Sequence, residues 1–329
     1  MQDKFRTTFD LRKVDTQINY KTSSLWIGSC FIEHIGDLMV NYKFTADVNP
    51  FGVCYNPMSI KNNLEILINQ PVFDSNDLFF YNEQWNSFNH HSQFSDSNQE
   101  VCLNQINQRI KASGQFLKEA DFLFVTFGTA WVFEYLASGQ IVSNCHKLPQ
   151  SKFKRYLLSL NEIVNNWKSL ITHLTNFNNH LHIVFTVSPI RHFKDGAEAN
   201  MLSKATLLVA AHELKKIFPD VCYFPAYEIM MDDLRDYRFY EEDMIHPNHT
   251  AIHYIWESFT RNYMGEETLK IMEEIDSILK AAHHRPFDPA SKAHQKFLAN
   301  NIQKIDRLKN QYPCLNLETE RQYFSNQLK

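Results

Sequence analysis

Ser23-Ser24-Leu25-Trp26-Ile27-Gly28 is a short apolar run that passes straight into Ser29-Cys30-Phe31 and then changes its period. Its length suits a buried strand. From Phe31 to Tyr42, the residues Phe31, Ile35, Leu38 and Met39 recur at helical spacing, so a helix follows at once. A strand feeding directly into a helix is half of a β-α-β unit, and the alternation continues down the chain. Lys43 to Val48 reads as a weaker strand, closed by the turn formers Asn49-Pro50-Phe51-Gly52. Ser59 to Asn69 reads as a helix with Ser59 as its N-cap. Val101 to Ala120 is a second long helical pattern, and Asp121 to Thr126 is the strongest buried strand. Lys152 to Thr175 predicts the clearest helix, with Leu160, Ile163, Trp167, Leu170 and Leu174 on one stripe. His182 to Val187 and Val221 to Phe224 supply the remaining strands. Ala197 to Phe218 and Asn248 to Tyr263 supply helices, and the polar stretch from Phe73 to Gln99 reads as a long irregular loop.

This repetition predicts a three-layer α/β/α fold around a parallel sheet of about five strands in flavodoxin-like order. Beyond Gly265 the character changes. Ile271, Ile275, Ile278 and Leu279 form one stripe, Phe297, Leu298, Ile302, Ile305 and Leu308 form another, and Pro286 and Pro289 separate them. The pattern predicts a helical hairpin. The chain therefore divides into a domain over 1–265 and a C-terminal helical appendage over 266–329, which is a candidate homodimer surface.

The 329 residues, 44% of them hydrophobic, suffice for a core of this kind. With 33 basic against 37 acidic residues there is no basic field to attract nucleic acid or an anionic membrane. Met1-Gln2-Asp3-Lys4-Phe5-Arg6 contains no apolar signal core, and no run approaches the roughly 18 apolar residues of a membrane span. The expectation is a soluble, cytoplasmic protein. Six cysteines without a CxxC pair read as free thiols, and no short-spaced His/Cys set indicates a metal. No cofactor is expected.

In open parallel sheets, ligands bind beyond the carboxyl ends of the strands. The residues that follow each strand are therefore the ones to weigh. Ser29 follows the first strand, at the start of a helix whose N–H groups and dipole favour a developing negative charge. It is either a helix cap or a nucleophile, and a nucleophile needs a base. Among the fifteen histidines only His246 has an aspartate, Asp243, three residues before it. Asp243-Met244-Ile245-His246-Pro247-Asn248 follows the last strand, where one short loop presents both side chains toward the edge that carries Ser29.

Taken together, six segments resemble the GSCFA family, a bacterial family named after its first motif and related to the SGNH/GDSL hydrolases. They are Gly28-Ser29-Cys30-Phe31, Asn49-Pro50-Phe51-Gly52, Thr126-Phe127-Gly128-Thr129-Ala130-Trp131, Asn144-Cys145-His146-Lys147, Ser188-Pro189-Ile190-Arg191-His192 and the Asp243–Asn248 loop. The resemblance implies hydrolysis of a carboxylic ester, or acyl transfer, with Ser29, His246 and Asp243 as the triad. It also implies an oxyanion hole built from the N–H groups of Ser29 and Gly52. Where the wider superfamily carries Gly-x-Asn, this chain has Gly128-Thr129-Ala130, so either Thr129, Asn56 or Asn49 replaces the missing amide donor or the activity is weak. Acetylated carbohydrates are the substrate class that family analogy suggests.

Other residues read as follows. Cys30 is core or support rather than nucleophile. Arg191, His192 and His146 are candidate substrate contacts, and the loop around His90 and His91 is a candidate cover. The alternative to an enzyme is an SGNH-like protein that binds a glycan or acyl group without turning it over.

Overall fold

The computed structural model describes residues 7, 8, 11 and 13–328; residues 1–6, read above for a targeting signal, lie outside the described residues. The first run forms β1 (Ser23–Gly28), followed by α1 (Cys30–Asn41) and β2 (Thr45–Val48). The sheet is completed by β5 (Phe122–Phe127), β9 (His182–Val187) and β10 (Cys222–Tyr223), in the order β10-β9-β5-β1-β2. That is a five-stranded parallel sheet in the flavodoxin-like order. Every residue of β5 is buried, which explains its unbroken apolar sequence. Trp26 of β1 stacks on Phe124 of β5 at 3.9 Å between ring centroids.

The helices of the α/β layers are α1, α2 (Pro57–Asn69), α3 (Gln99–Glu119), α4 (Leu160–Phe177) and α5 (Gly196–Ile217), on both faces of the sheet. A short α6 (Ala226–Glu228) runs into a π turn at Ile229–Asp233, and α7 (His249–Tyr263) follows the Asp243–His246 loop. Trp167 of α4 packs edge-on against both Phe127, the last residue of β5, and Phe185 of β9.

Four sequence expectations need correction. Helix α2 is capped by Asn56, not Ser59; the Asn56 side chain accepts from Ser59 N at 2.8 Å, and Pro57 takes the first helical position. The 73–99 stretch is ordered. It contains the hairpin of β3 (Phe79–Tyr81) and β4 (Gln84–Asn86), with Asn82 and Glu83 both left-handed in the turn, and His90 sits in a cage of Phe51, Phe73 and Phe94. The helix read from Lys152 starts only at Leu160, where Ser159 and Glu162 form a capping box. Residues Phe153–Leu157 instead form β8, which pairs antiparallel with β6 (Trp131–Tyr135), itself paired with β7 (Gln140–Val142). The apolar period of Tyr156 and Leu160 runs smoothly across that boundary, so only the cap marks it. Finally, the C-terminal hairpin has a third member. After α8 (Glu266–His283) and α9 (Lys292–Gln311), the chain forms α10 (Glu318–Ser325) with Phe324 fully buried.

The chain contains two compact units. One gathers Ser24–Asp37 and Ala46–Glu257; the other gathers Leu11–Ser23, Leu38–Thr45 and Ser258–Lys329. Inside the second, Ile275 and Ile278 of α8, Leu298, Ile305 and Leu308 of α9 and Phe324 of α10 are buried. Tyr20 stacks on Phe44 at 4.3 Å, and Lys43 pairs with Glu320 at 2.6 Å. No helix among the described residues is long and apolar enough to cross a membrane.

Candidate active site

The carboxyl ends of β1, β5 and β9 open onto a cavity of about 690 Å³ within the first unit. Ser29 follows β1, Thr129 follows β5, and Ser188, Arg191 and His192 follow β9; all of them line it, together with His246.

Ser29 stands in the N-cap position of α1 and does not cap it. The residue is 1% exposed, and its Oγ has no hydrogen-bond partner. A capping serine accepts from an N–H of the first helical turn. Gly28 makes the placement possible. Its φ is +145°, and a Cβ there would lie 2.3 Å from the carbonyl oxygen of Thr126. Asn49 holds the same turn by accepting from Gly28 N at 2.9 Å through Oδ1. The neighbouring Cys30 Sγ lies 3.2 Å from the Tyr55 hydroxyl, and burial pushes its thiol up, away from the thiolate.

Asp243 and His246 meet within their own loop. Asp243 Oδ2 is 2.6 Å from His246 Nδ1, while Oδ1 accepts from the N–H groups of Ile245 and His246, each at 2.9 Å. The backbone N–H of His246, then its ring, then the Ile245 N–H hold the carboxyl at about 2. Left-handed Met244 lets so short a loop close on itself. With Nδ1 committed, Nε2 is the unbonded nitrogen of the ring. Ser29 and His246 line one cavity but are not hydrogen-bonded to each other.

The expected oxyanion donors separate. Gly52 does not line the cavity, and its N–H already donates to the Asn49 carbonyl at 2.7 Å. Its positive φ and the His91 Cβ packed against it account for the glycine. Asn49 uses only its Oδ1 on Gly28; its Nδ2 is buried without a partner, but the residue does not line the cavity. Asn56 lines the cavity while its side chain caps α2 and donates to Ser59 Oγ at 2.9 Å. Thr129 lines the cavity and touches Ser203 Oγ at 3.1 Å; its Oγ1 also accepts from Trp131 N at 3.2 Å. Ala130 is buried, with its N–H donated to Ser203 Oγ at 2.8 Å.

Of the proposed substrate contacts, Arg191 and His192 line the cavity and His146 does not. The His146 ring turns to the carbonyl of Ser87 at 2.8 Å, and burial lowers its pKa. Cys145 beside it does line the cavity. The His192 imidazole is pushed down to about 4 by burial first, then by the charge of Lys204 and by neighbouring His246, so it is neutral near pH 7. His91 is at the cavity wall, whereas His90 is buried in its aromatic cage.

Sequence reasoning missed two groups. Lys204 is fully buried on α5, and its Nζ donates to the carbonyls of Gly128 and Ser188, each at 2.7 Å. It ties the ends of β5 and β9 together beneath the cavity, and burial lowers its ammonium to about 7. The available signal was a lysine on the buried stripe of α5, among Asn200, Ser203, Leu207 and Leu214. The second group is Trp131, Phe133 and Arg155, which the β6–β8 sheet contributes to the wall.

In sequence, residues 23–259 match the GSCFA family, and residues 275–329 match the GSCFA domain protein, C-terminal domain. No curated protein matches the chain. Among solved structures, a protein from Parabacteroides merdae named as a GDSL-like lipase is 10% identical, with a TM-score of 0.40 over 76% of this chain and 98% of its own. A Streptococcus pneumonia protein named as a platelet activating factor is 12% identical, with a TM-score of 0.38 over 73% of this chain and 83% of its own. The Clostridium thermocellum family 3 carbohydrate esterase is 11% identical, with a TM-score of 0.35 over 77% and 98% respectively. Likenesses this distant carry no argument about activity. The match in sequence spans most of the first unit and continues into the second, and the chain belongs to the GSCFA family.

Proposed function

We propose that this protein is a serine hydrolase acting on carboxylic esters, with Ser29 as nucleophile, His246 as general base and Asp243 as the group that orients it. The observation that carries the reading is the Ser29 hydroxyl, buried at a helix cap position, bonded to nothing and facing the cavity that His246 lines. A packing role leaves that arrangement unexplained, because an unsatisfied buried hydroxyl costs stability.

In the first step Ser29 Oγ bonds to the ester carbonyl carbon while its proton passes to His246 Nε2. Asp243 fixes the tautomer and stabilises the imidazolium. The tetrahedral intermediate collapses, and the C–O bond to the alcohol breaks. The alkoxide takes the proton from His246, leaving an acyl-Ser29. Water repeats the cycle with His246 as base, releasing the carboxylic acid and restoring Ser29. A serine–histidine contact that is open in the unliganded enzyme and closes on substrate is consistent with this geometry.

The oxyanion donors are the Ser29 N–H and the Thr129 hydroxyl. Ser203 Oγ accepts from Ala130 N and is 3.1 Å from Thr129 Oγ1, a contact in which either hydroxyl can donate. Thr129 Oγ1 also accepts from Trp131 N, so with Ser203 as the donor of their contact both Thr129 lone pairs are used and its hydrogen is left for the substrate. That hydrogen is the donor proposed to replace the superfamily amide at Ala130. The Gly52 N–H, already donated to Asn49, drops out.

A fluorophosphonate probe tests the assignment. It should label Ser29 in the wild type, and labelling should vanish in His246→Ala. Absence of labelling, with retained binding of an acyl ligand, would favour the non-catalytic alternative, for which the open Ser29–His246 contact speaks.

A further inference from the structure

The cavity wall carries hydrogen-bond donors that have nothing to donate to. Trp131 Nε1, Arg155 Nε and Arg191 Nε are all buried without a partner, and all three residues line it. An indole N–H and a guanidinium can only donate, so each calls for an acceptor. Burying such groups unpaired costs free energy unless a ligand supplies the missing acceptor.

The charge in the cavity points the same way. The chain as a whole carries a net charge of −4, yet the described lining residues include Arg155, Arg191 and Lys194 and no aspartate or glutamate. Only Arg155 is neutralised, by Asp195. Arg191 has no carboxylate partner among the described residues; its Nη2 lies 3.0 Å from Met231 Sδ, and its guanidinium sits 5.9 Å from the Phe193 ring centre. Lys194 sits 5.5 Å from the centre of the Phe133 ring. An aromatic face positions a cation without cancelling its charge. A carboxylate would have done both.

We infer that the ester this site takes is anionic: it carries an oxyanion, such as a carboxylate or sulfonate, held by Arg191 and Lys194 while its carbonyl meets Ser29. The inference rests on the hydrolase reading and adds the substrate's charge class to it. Trp131 donates to the same acceptor-rich group or to the ester's own oxygens. Arg155 stays a fixed part of the wall, held between Asp195 and the Trp131 and Phe133 rings, which lie 5.1 and 5.0 Å away.

Matched esters test it. On the alcohol side, phenyl acetate is compared with 4-acetoxybenzoate and 4-acetoxybenzenesulfonate; on the acyl side, phenyl butyrate is compared with phenyl hydrogen succinate. The wild type should favour the anionic member of at least one set by about tenfold or more in kcat/KM, and added salt should erode that preference. Arg191→Gln and Lys194→Gln should each cut the anionic-to-neutral ratio by about ten- to hundredfold, the size expected for a lost charged hydrogen bond. Lys194 is exposed, so its variant reports even where Arg191→Gln fails to fold. Equal kcat/KM within both sets, or ratios that neither variant moves, would overturn the inference while leaving the hydrolase standing. Calorimetry of Ser29→Ala with 4-acetoxybenzoate and phenyl acetate separates the other case. Tighter binding of the anion, with no turnover by the wild type, would remove the hydrolase and keep the anion site.

Discussion

Asp243 Oδ2 lies 2.6 Å from His246 Nδ1, and the other oxygen of the same carboxylate is tied to the two backbone N–H groups of that loop. The pair is thus built locally, at the surface, without help from the sheet. Replacing Asp243 by Asn should leave the fold intact, because the side chain is half exposed, and should lower kcat by about 10³- to 10⁴-fold by presenting the wrong ring tautomer. Steady-state ester hydrolysis beside a thermal melt checks both halves of that expectation.

Ser29→Ala should separate activity from stability in the opposite sense to most buried substitutions. The hydroxyl it removes has no partner, so its loss is neutral or stabilising. Turnover should fall to background while Tm stays level or rises. A fall in Tm of several degrees would mean that the hydroxyl makes a bond important to folding, as a cap would.

Thr129 should behave as a donor and not as packing. Thr129→Val preserves shape and removes the hydroxyl; kcat should drop by about 10²-fold, near the lower end for a lost oxyanion donor. Thr129→Ser should retain most of the rate. Similar rates in the valine and wild-type proteins would exclude the hydroxyl from the oxyanion hole.

Lys204→Met keeps the aliphatic stem and leaves the carbonyls of Gly128 and Ser188 without their donor. Denaturant unfolding should show a loss of roughly 2–5 kcal/mol, the cost of two orphaned buried acceptors.

Acid should begin to destabilise the first unit below about pH 6.5, above the ordinary carboxylate range. Burial pushes His192 down to about 4 and His90 down to about 3, so both are neutral in the folded state near pH 7. Once the pH falls below the ordinary histidine value of about 6.5, the unfolded chain takes up protons that the folded chain refuses. Stability is therefore fully present above about 6.5 and is lost as the pH drops toward 4 and then 3. Each histidine should contribute a slope of up to about 1.4 kcal/mol per pH unit. His90→Phe should flatten the pH dependence of chemical denaturation. Asp243 adds its own loss at the acid end of this window, because below about pH 4 the unfolded carboxyl takes up a proton that the folded one, held near 2, refuses.

The parts of this molecule that could be read from sequence share one property: their meaning is carried by neighbours in the chain. The run Phe122–Phe127 is apolar throughout because both faces of β5 are covered, and His182–Val187 obeys the same rule. The sheet order followed from that alternation, and the residues beyond the strand ends pointed to Ser29, Thr129, Arg191, His192 and His246, which do line one cavity. The errors share the opposite property. Gly52 stands in the expected motif, but its N–H is taken by a carbonyl three residues back. His146 follows a cysteine in a family-like segment, but its ring is claimed by Ser87, far away in the chain. Lys204 looks like any helix lysine until two strand ends converge on it. Phe153–Leu157 continues a helical period smoothly, and only pairing with Trp131–Tyr135 makes it a strand.

The antiparallel sheet of β6, β7 and β8 lies between two elements of the main fold in sequence, leaving after β5 and returning at Ser159. It forms a sheet of its own, and it brings Trp131, Phe133, Val142 and Arg155 to the cavity while contributing nothing to the serine, the histidine or the carboxylate. Part of the cavity wall thus stands on a piece of chain separate from Ser29, Asp243 and His246. Such an insert is a natural point of exchange: in the proposed hydrolase, grafting a different one between residues 130 and 158 would reshape the wall while Ser29, Arg191, Lys194 and His246 keep their places in the chain.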